Sequence, residues 1–118
     1  MNGKEYLDYV LAKEENSDKI SKVEELYGFR IPDELRKIVS NSEETVFLDD
    51  DKRILSFDEI MDAEKDLHVA FKSKGIIPFA DCGENDFVVY ESNKGKWAKF
   101  NIIDETMFKE KADIRELI

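Results

Sequence analysis

Apolar side chains recur at three- and four-residue intervals through the first forty residues, which is the spacing of amphipathic helices. The pattern predicts a first helix from Glu5, with Tyr6, Tyr9 and Val10 on its apolar side. A second helix is predicted to begin with an N-cap at Ser17 and to end at Gly28. The side chains expected to form its buried stripe are Ile20, Val23, Leu26 and Tyr27.

The pattern changes period after a third predicted helix. That helix starts at Ile31-Pro32-Asp33, since proline is tolerated in the first helical turn, and ends near Asn41. Short apolar runs around a polar turn then predict two strands. They are Thr45–Leu48 and Ile54–Leu55, separated by Asp49, Asp50, Asp51 and Lys52. A central amphipathic helix is predicted over Phe57–Lys72, with Gly75 beyond its end.

Three strand-like runs follow the central helix. They cover Ile76–Ala80, Phe87–Glu91 and Lys96–Ile102, and the polar residues 92–95 between the last two predict a hairpin. Alternation in the third run predicts a wet face and a dry one. The wet face would carry Trp97, Lys99 and Asn101, and the dry face Ala98, Phe100 and Ile102. Residues 106–109 fit a strand or a loop, and Ala112–Ile118 fits a short final helix.

Together these elements predict an α+β fold, in which a mainly antiparallel sheet is flanked by N-terminal, central and C-terminal helices. A length of 118 residues suits one two-layer domain, 1–118. No apolar run approaches the ~20 residues that span a bilayer, and no segment resembles a signal peptide. The single cysteine excludes an internal disulfide. We therefore expect a soluble, cytoplasmic protein.

The acidic residues are concentrated in the middle of the chain. The net charge is −10, of which residues 41–91 carry −9, residues 1–40 carry −2 and residues 92–118 carry +1. Such a field repels nucleic acid and anionic lipid and attracts a basic partner by long-range steering. The alternative is that the charge serves solubility alone.

The residue pattern does not support either of two chemical interpretations of the middle region. The run Asp49–Ile60 superficially matches a calcium-binding EF-hand loop. With Glu59 at the closing position, however, Arg53 falls where the loop requires glycine, and with Asp49 first, Ile60 falls at the bidentate position. Cys82 with His68, the one histidine, lacks any signature of a cysteine nucleophile, and the pair is too small for a structural zinc site. The glycines do not follow a phosphate-binding pattern. We predict no catalytic group, metal or cofactor.

Four segments, in order, resemble the SMI1/KNR4 (SUKH) superfamily. Val23–Ile38 carries the family's opening signature, in which a helix bearing a glutamate ends at glycine and an Ile-Pro starts the next helix. Ile54–Ile60 is similar to its short strand leading into a central helix. Ile76–Glu91 resembles its most distinctive segment, a strand, a turn and a second strand, and Ala112–Ile118 resembles its closing helix. Within the third segment, residues 83–86 are most simply a turn.

The resemblance implies a non-catalytic protein-binding domain. Many bacterial members resemble immunity proteins that neutralise a cognate toxin, often a nuclease, and are encoded beside it; fungal relatives act as signalling scaffolds. The resemblance implies a toxin as partner, and the central acid excess indicates a basic one; a general scaffold role is the alternative. An enzyme using Cys82 is a third possibility that we do not favour. The residues predicted to bind the partner are Asp49, Asp50, Asp51, Glu84, Asp86, Tyr90 and Trp97. The alternatives are that Trp97 belongs to the core and that Tyr90 caps the sheet.

Overall fold

Three helices occupy the first forty residues of the computed structural model, which describes residues 1–118. They are α1 (Gly3–Leu11), α2 (Ser17–Tyr27) and α3 (Asp33–Ser40). A capping box starts α1. The Asn2 side chain accepts a hydrogen bond from the Glu5 backbone N–H, and the Glu5 side chain accepts one from the Asn2 backbone N–H. Asn16, one residue before the predicted Ser17, caps α2. The predicted helices are confirmed.

The ends of α2 and α3 follow the predicted chemistry. Gly28 ends α2 in the left-handed conformation, at φ +86°, which glycine adopts without strain. Pro32 precedes the first turn of α3, and Asn41 ends that helix. The predicted burial of Leu26 is wrong, because its side chain is 40% exposed. Leu26 lies at the margin of the apolar stripe, whereas Ile20, Val23 and Tyr27 fill the centre.

Six strands form one antiparallel sheet in which every strand pairs with its neighbours in sequence. The strands are β1 (Val46–Phe47), β2 (Arg53–Ile54), β3 (Ile76–Gly83), β4 (Asp86–Glu91), β5 (Lys96–Asn101) and β6 (Met107–Lys111). Residues 106–109, which fitted a strand or a loop, lie mostly in β6, and the predicted final helix is a 3₁₀ turn over Ile114–Glu116. The α+β class with a mainly antiparallel sheet is confirmed.

The central helix is broken, and the prediction of one continuous helix over Phe57–Lys72 is wrong. Its place is taken by three short helices, α4 (Phe57–Met61), α5 (Ala63–Leu67) and α6 (Phe71–Lys74). The backbone leaves helical geometry at Asp62, and His68 ends α5 in the left-handed conformation at φ +57°. Ile60, Ala63 and Phe71 reach the core from the three short helices, and the break also buries Val69, which a straight helix would place about 180° away from Ile60.

The central strands are covered on both faces. All of Ile76–Ala80 in β3 is buried, so the sheet lies inside the molecule rather than at its surface. The predicted wet face of β5 is wrong at Trp97, which is 3% exposed. Its ring packs edge-on against Phe79, with centroids 5.5 Å apart, and against Tyr90 at 5.1 Å. Lys99 and Asn101, on the same alternation, are partly exposed as predicted.

One hydrophobic cluster of 29 buried residues joins the helices to the sheet. Helix α2 is anchored to α4 by a buried hydrogen bond, in which the Tyr27 hydroxyl donates to the Ile60 carbonyl at 2.7 Å. Burial is the main reason that the pKa of Tyr27 is raised. No helix has the length and apolar composition that crossing a membrane requires.

Removing the Tyr27 hydroxyl tests this anchor. The Tyr27→Phe variant is expected to lose about 1–3 kcal/mol of unfolding free energy, because the Ile60 carbonyl is left buried without a partner. Chemical denaturation measures the change. The matched control is Tyr9→Phe, whose ring is 49% exposed and which is expected to unfold like the parent chain. Equal stability of the two variants would show that the bond contributes nothing.

Candidate partner-binding surface

The β3–β4 connection is a tight two-residue turn. Gly83 and Asp86 are paired across the hairpin, and the two residues between them, Glu84 and Asn85, have φ values of +54° and +68°. Positive φ at both central positions is the type I′ pattern, whose twist matches that of paired strands. The Gly83 backbone N–H also donates to the Asp81 carboxylate at 2.8 Å. The predicted turn is confirmed, and it holds Glu84 out in solvent.

The three consecutive aspartates form the β1–β2 turn, as predicted. The Leu48 N–H donates to the Lys52 carbonyl at 2.8 Å, which closes the turn, and Asp51 takes a positive φ of 66°. The side chains of Asp49 and Asp50 are 68% and 52% exposed. Nowhere do three or more His, Cys, Asp or Glu side chains lie in metal-binding geometry.

Both turns lie at the same edge of the sheet. Strands β2 and β3 are antiparallel with Arg53 opposite Asp81, so the chain just before Arg53 runs beside the chain just after Asp81. The β5–β6 turn joins them, because the Ile102 N–H donates to the Asn85 carbonyl at 2.9 Å. We call this region the acidic edge. Its acidic residues are Asp49, Asp50, Asp51, Glu84, Asp86, Asp104 and Glu105.

Basic residues neutralise only part of the acidic edge. Asp49 contacts the Met1 ammonium at 2.9 Å, Asp50 pairs with Lys52, and Glu105 pairs with Lys74 at 2.8 Å. Asp86 instead accepts a hydrogen bond from the neutral Asn101 amide at 2.8 Å. The remaining carboxylates, Asp51, Glu84 and Asp104, form no ion pair, so the edge keeps a net negative field.

Sequence reasoning missed part of this edge. Asp104 and Glu105 were not predicted to take part, although an acidic pair directly after the β5 strand was the available signal. Ile103, in the same turn, is 72% exposed. Single exposed apolar side chains are common on protein surfaces, and Ile103 is the one that lies within the acidic edge.

The structure does not bring the two predicted aromatic residues to the acidic edge. Tyr90 lies four residues after Asp86 along β4, about 13 Å away at the rise of a strand. Trp97 is buried in the core beside it. The partly exposed Tyr90 instead borders a groove of about 420 Å³, with Pro32 and Glu34 on its far side. Burial, followed by the Glu34 charge, raises the pKa of Tyr90.

Cys82 and His68 lie in separate environments. Cys82 is a half-buried residue of β3, and burial raises the pKa of its thiol. His68 is exposed at the end of α5, and no hydrogen bond joins it to Cys82. A raised pKa favours the protonated thiol at neutral pH, which is the opposite of what an activated cysteine needs.

Arg53 ties β2 to α4 and β3 behind the acidic edge. Its guanidinium contacts the carboxylates of Glu59 at 2.6 Å and Asp81 at 3.4 Å. Glu59 also accepts the Ser56 N–H in the capping box of α4. Burial alone would raise the pKa of Glu59, but the hydrogen bonds from Ser56 and Arg53 outweigh it and hold that pKa below its usual 4.5.

This lowered pKa makes stability depend on pH in a predictable direction. The unfolded chain binds the proton more readily, so the contribution of Glu59 is present above about pH 4.5 and is lost as the pH falls through the folded-state pKa. We expect Glu59→Gln to flatten the decline of unfolding free energy below about pH 4.5. Urea unfolding across about pH 2.5–7 measures the unfolding free energy, with exposed Glu25→Gln as the control. The same dependence of unfolding free energy on pH in both variants would contradict this role of Glu59.

Three N-terminal helices precede a six-stranded antiparallel meander, which three short helices interrupt between β2 and β3. With acidic turns projecting from one edge, this arrangement defines a small α+β domain. The chain matches the model of the SMI1 / KNR4 family (SUKH-1) over residues 15–117. It therefore belongs to this family, as the resemblance predicted. Searches among curated proteins and among solved structures gave no significant match.

Proposed function

We propose that this chain is an immunity-type protein that binds and neutralises a cognate basic protein toxin, with a nuclease as the favoured class. The observation that carries the proposal is the gathering of three acidic turns at one edge of the sheet, in a member of the SMI1/KNR4 family. The turns come from distant parts of the sequence, so their proximity is a property of the fold.

A nuclease is a suitable target for such an edge on physical grounds. An enzyme that binds phosphate backbones must present a basic groove, and an acidic protein surface can occupy that groove. The charge field also accelerates encounter with a basic partner, which benefits a protein that must intercept a toxin before it acts. The same field disfavours nucleic acid and anionic membranes as partners.

The turns at this edge are held rigid before binding. Asp86 accepts from Asn101, and the Asn85 carbonyl accepts the Ile102 N–H, so the β3–β4 and β5–β6 turns brace each other. Asp81 fixes Gly83 in the same way. Because little conformational freedom remains to be lost, more of the contact free energy is available for affinity.

Co-expression provides the test. The chain is produced in a heterologous host together with the toxin domain encoded next to its own gene, and growth is compared with that of cells making the toxin alone. We expect the chain to restore growth and to co-purify with the toxin. Undiminished toxicity without any complex would overturn the proposal, and complexes with endogenous signalling proteins alone would favour the scaffold role.

A further inference from the structure

A second groove lies between α1 and the segment that follows α3. Its volume is about 490 Å³, which makes it the largest depression on the molecule. Tyr6 and Tyr9 line it from α1, and Glu43, Glu44 and Val46 line it from the other side. We call it the α1 groove. Tyr6 is buried at 1% exposure, so the groove offers a cationic side chain one exposed ring, that of Tyr9, together with two acids.

The groove already shows how a cation would lie within it. The Lys13 ammonium is 4.8 Å from the centroid of the Tyr9 ring, which is within cation–π range. Tyr9 is 49% exposed, so its ring is accessible from solvent. Glu43 lies 3.8 Å from the Lys19 ammonium, whereas the exposed Glu44 forms no ion pair. The lining of the groove therefore includes both an exposed ring and an unpaired carboxylate.

The α1 groove is continuous with the acidic edge. Met1 lines the groove, its ammonium contacts the Asp49 carboxylate at 2.9 Å, and its carbonyl accepts the Asp49 N–H at 3.0 Å. Tyr9 and Lys13 also precede residue 15, where the family match begins. This side of the groove is thus built by a part of the chain outside the matched region.

We propose that the α1 groove receives one lysine or arginine side chain of the basic partner, with its cation against the Tyr9 ring and its charge matched by Glu44. The inference rests on the proposed function and extends it. The acidic edge attracts the partner through its long-range field, and the groove would fix the orientation in which the partner binds. In the free protein the Lys13 ammonium lies over the face of the Tyr9 ring, and the cation of the partner would displace it.

The test uses a small cationic probe, acetyl-Gly-Arg-Gly-amide, titrated into the isotopically labelled full chain by NMR. Its neutral isostere with citrulline in place of arginine is the matched control. We expect saturable shifts at Tyr9, Glu43 and Glu44 with the arginine probe and none with the citrulline probe. Tyr9→Leu should weaken binding about two- to fivefold, the effect of losing an exposed cation–π contact.

Lys13→Gln provides a change of opposite sign. Removing the resident cation should strengthen arginine binding about two- to fivefold, because the ring no longer exchanges one cation for another. The proposal would be overturned by NMR shifts confined to Asp49–Asp51 and Glu84, or by equal shifts with the arginine and citrulline probes. An unchanged affinity in both variants would also overturn it. If the Tyr9→Leu variant neutralises the toxin as well as the parent chain does, the α1 groove has no role in binding the toxin, whereas the proposed function is unaffected.

Discussion

Replacing Trp97 with alanine is expected to lower the unfolding free energy by about 3–5 kcal/mol, the usual cost of removing a large buried ring. The indole is 3% exposed and packs against Phe79 and Tyr90, so its loss leaves a cavity within an aromatic cluster. Trp97 was predicted from sequence to bind the partner, and this variant separates that role from packing. Chemical denaturation followed by far-UV circular dichroism measures the loss.

The matched control is a large apolar residue at the surface. Ile103 is 72% exposed, and Ile103→Ala should change the unfolding free energy by less than about 0.5 kcal/mol. We therefore expect Ile103→Ala to weaken partner binding without loss of stability, and Trp97→Ala to lower the stability of the fold. A Trp97→Ala protein as stable as the parent chain would contradict the buried position of the indole.

Neutralising the acidic edge is expected to slow association with a basic toxin by on the order of tenfold at low salt, within the range of electrostatic steering. Asparagine is the replacement of choice, because Asp51 and Glu84 have positive φ, which asparagine tolerates. The substitutions are Asp49→Asn, Asp50→Asn, Asp51→Asn and Glu84→Asn. Stopped-flow mixing measures the rate, whose dependence on salt should become shallower.

A second variant with the same net charge isolates position from total charge. It removes four exposed acids outside the acidic edge, by the substitutions Asp8→Asn, Asp18→Asn, Glu25→Gln and Glu116→Gln. Both variants carry a net charge of −6 instead of −10. We expect the second to associate at nearly the parent rate. Equal slowing by both would show that overall charge, rather than the edge, attracts the toxin.

Local sequence signals were sufficient for much of the fold. Helix and strand ends are determined by residues close to them in sequence, namely Gly28, Pro32 and the polar residues around Asn93. The elements that these residues delimit were predicted correctly. The break at His68 was not, because a histidine in the left-handed conformation has no signal as clear as glycine. Tertiary packing of Phe71 and its neighbours onto the sheet favours the broken path over a continuous helix.

The candidate surface was only partly accessible to sequence reasoning. The acidic turns could be found from composition, but their common edge depends on the pairing of Arg53 with Asp81, which no local pattern specifies. The burial of Trp97 depends likewise on Phe79, which lies eighteen positions earlier in the chain. The α1 groove brings together residues about thirty-five positions apart, so periodicity alone could not reveal it.

Neutralisation of a toxin by this chain is measured most directly as the activity of the purified toxin domain while the purified chain is added. We predict that toxin activity falls in proportion to the amount of chain added and reaches background at a one-to-one ratio, as expected when an acidic surface occupies the basic groove. Full activity in the presence of a molar excess of the folded chain would contradict it, whether or not the two proteins bind.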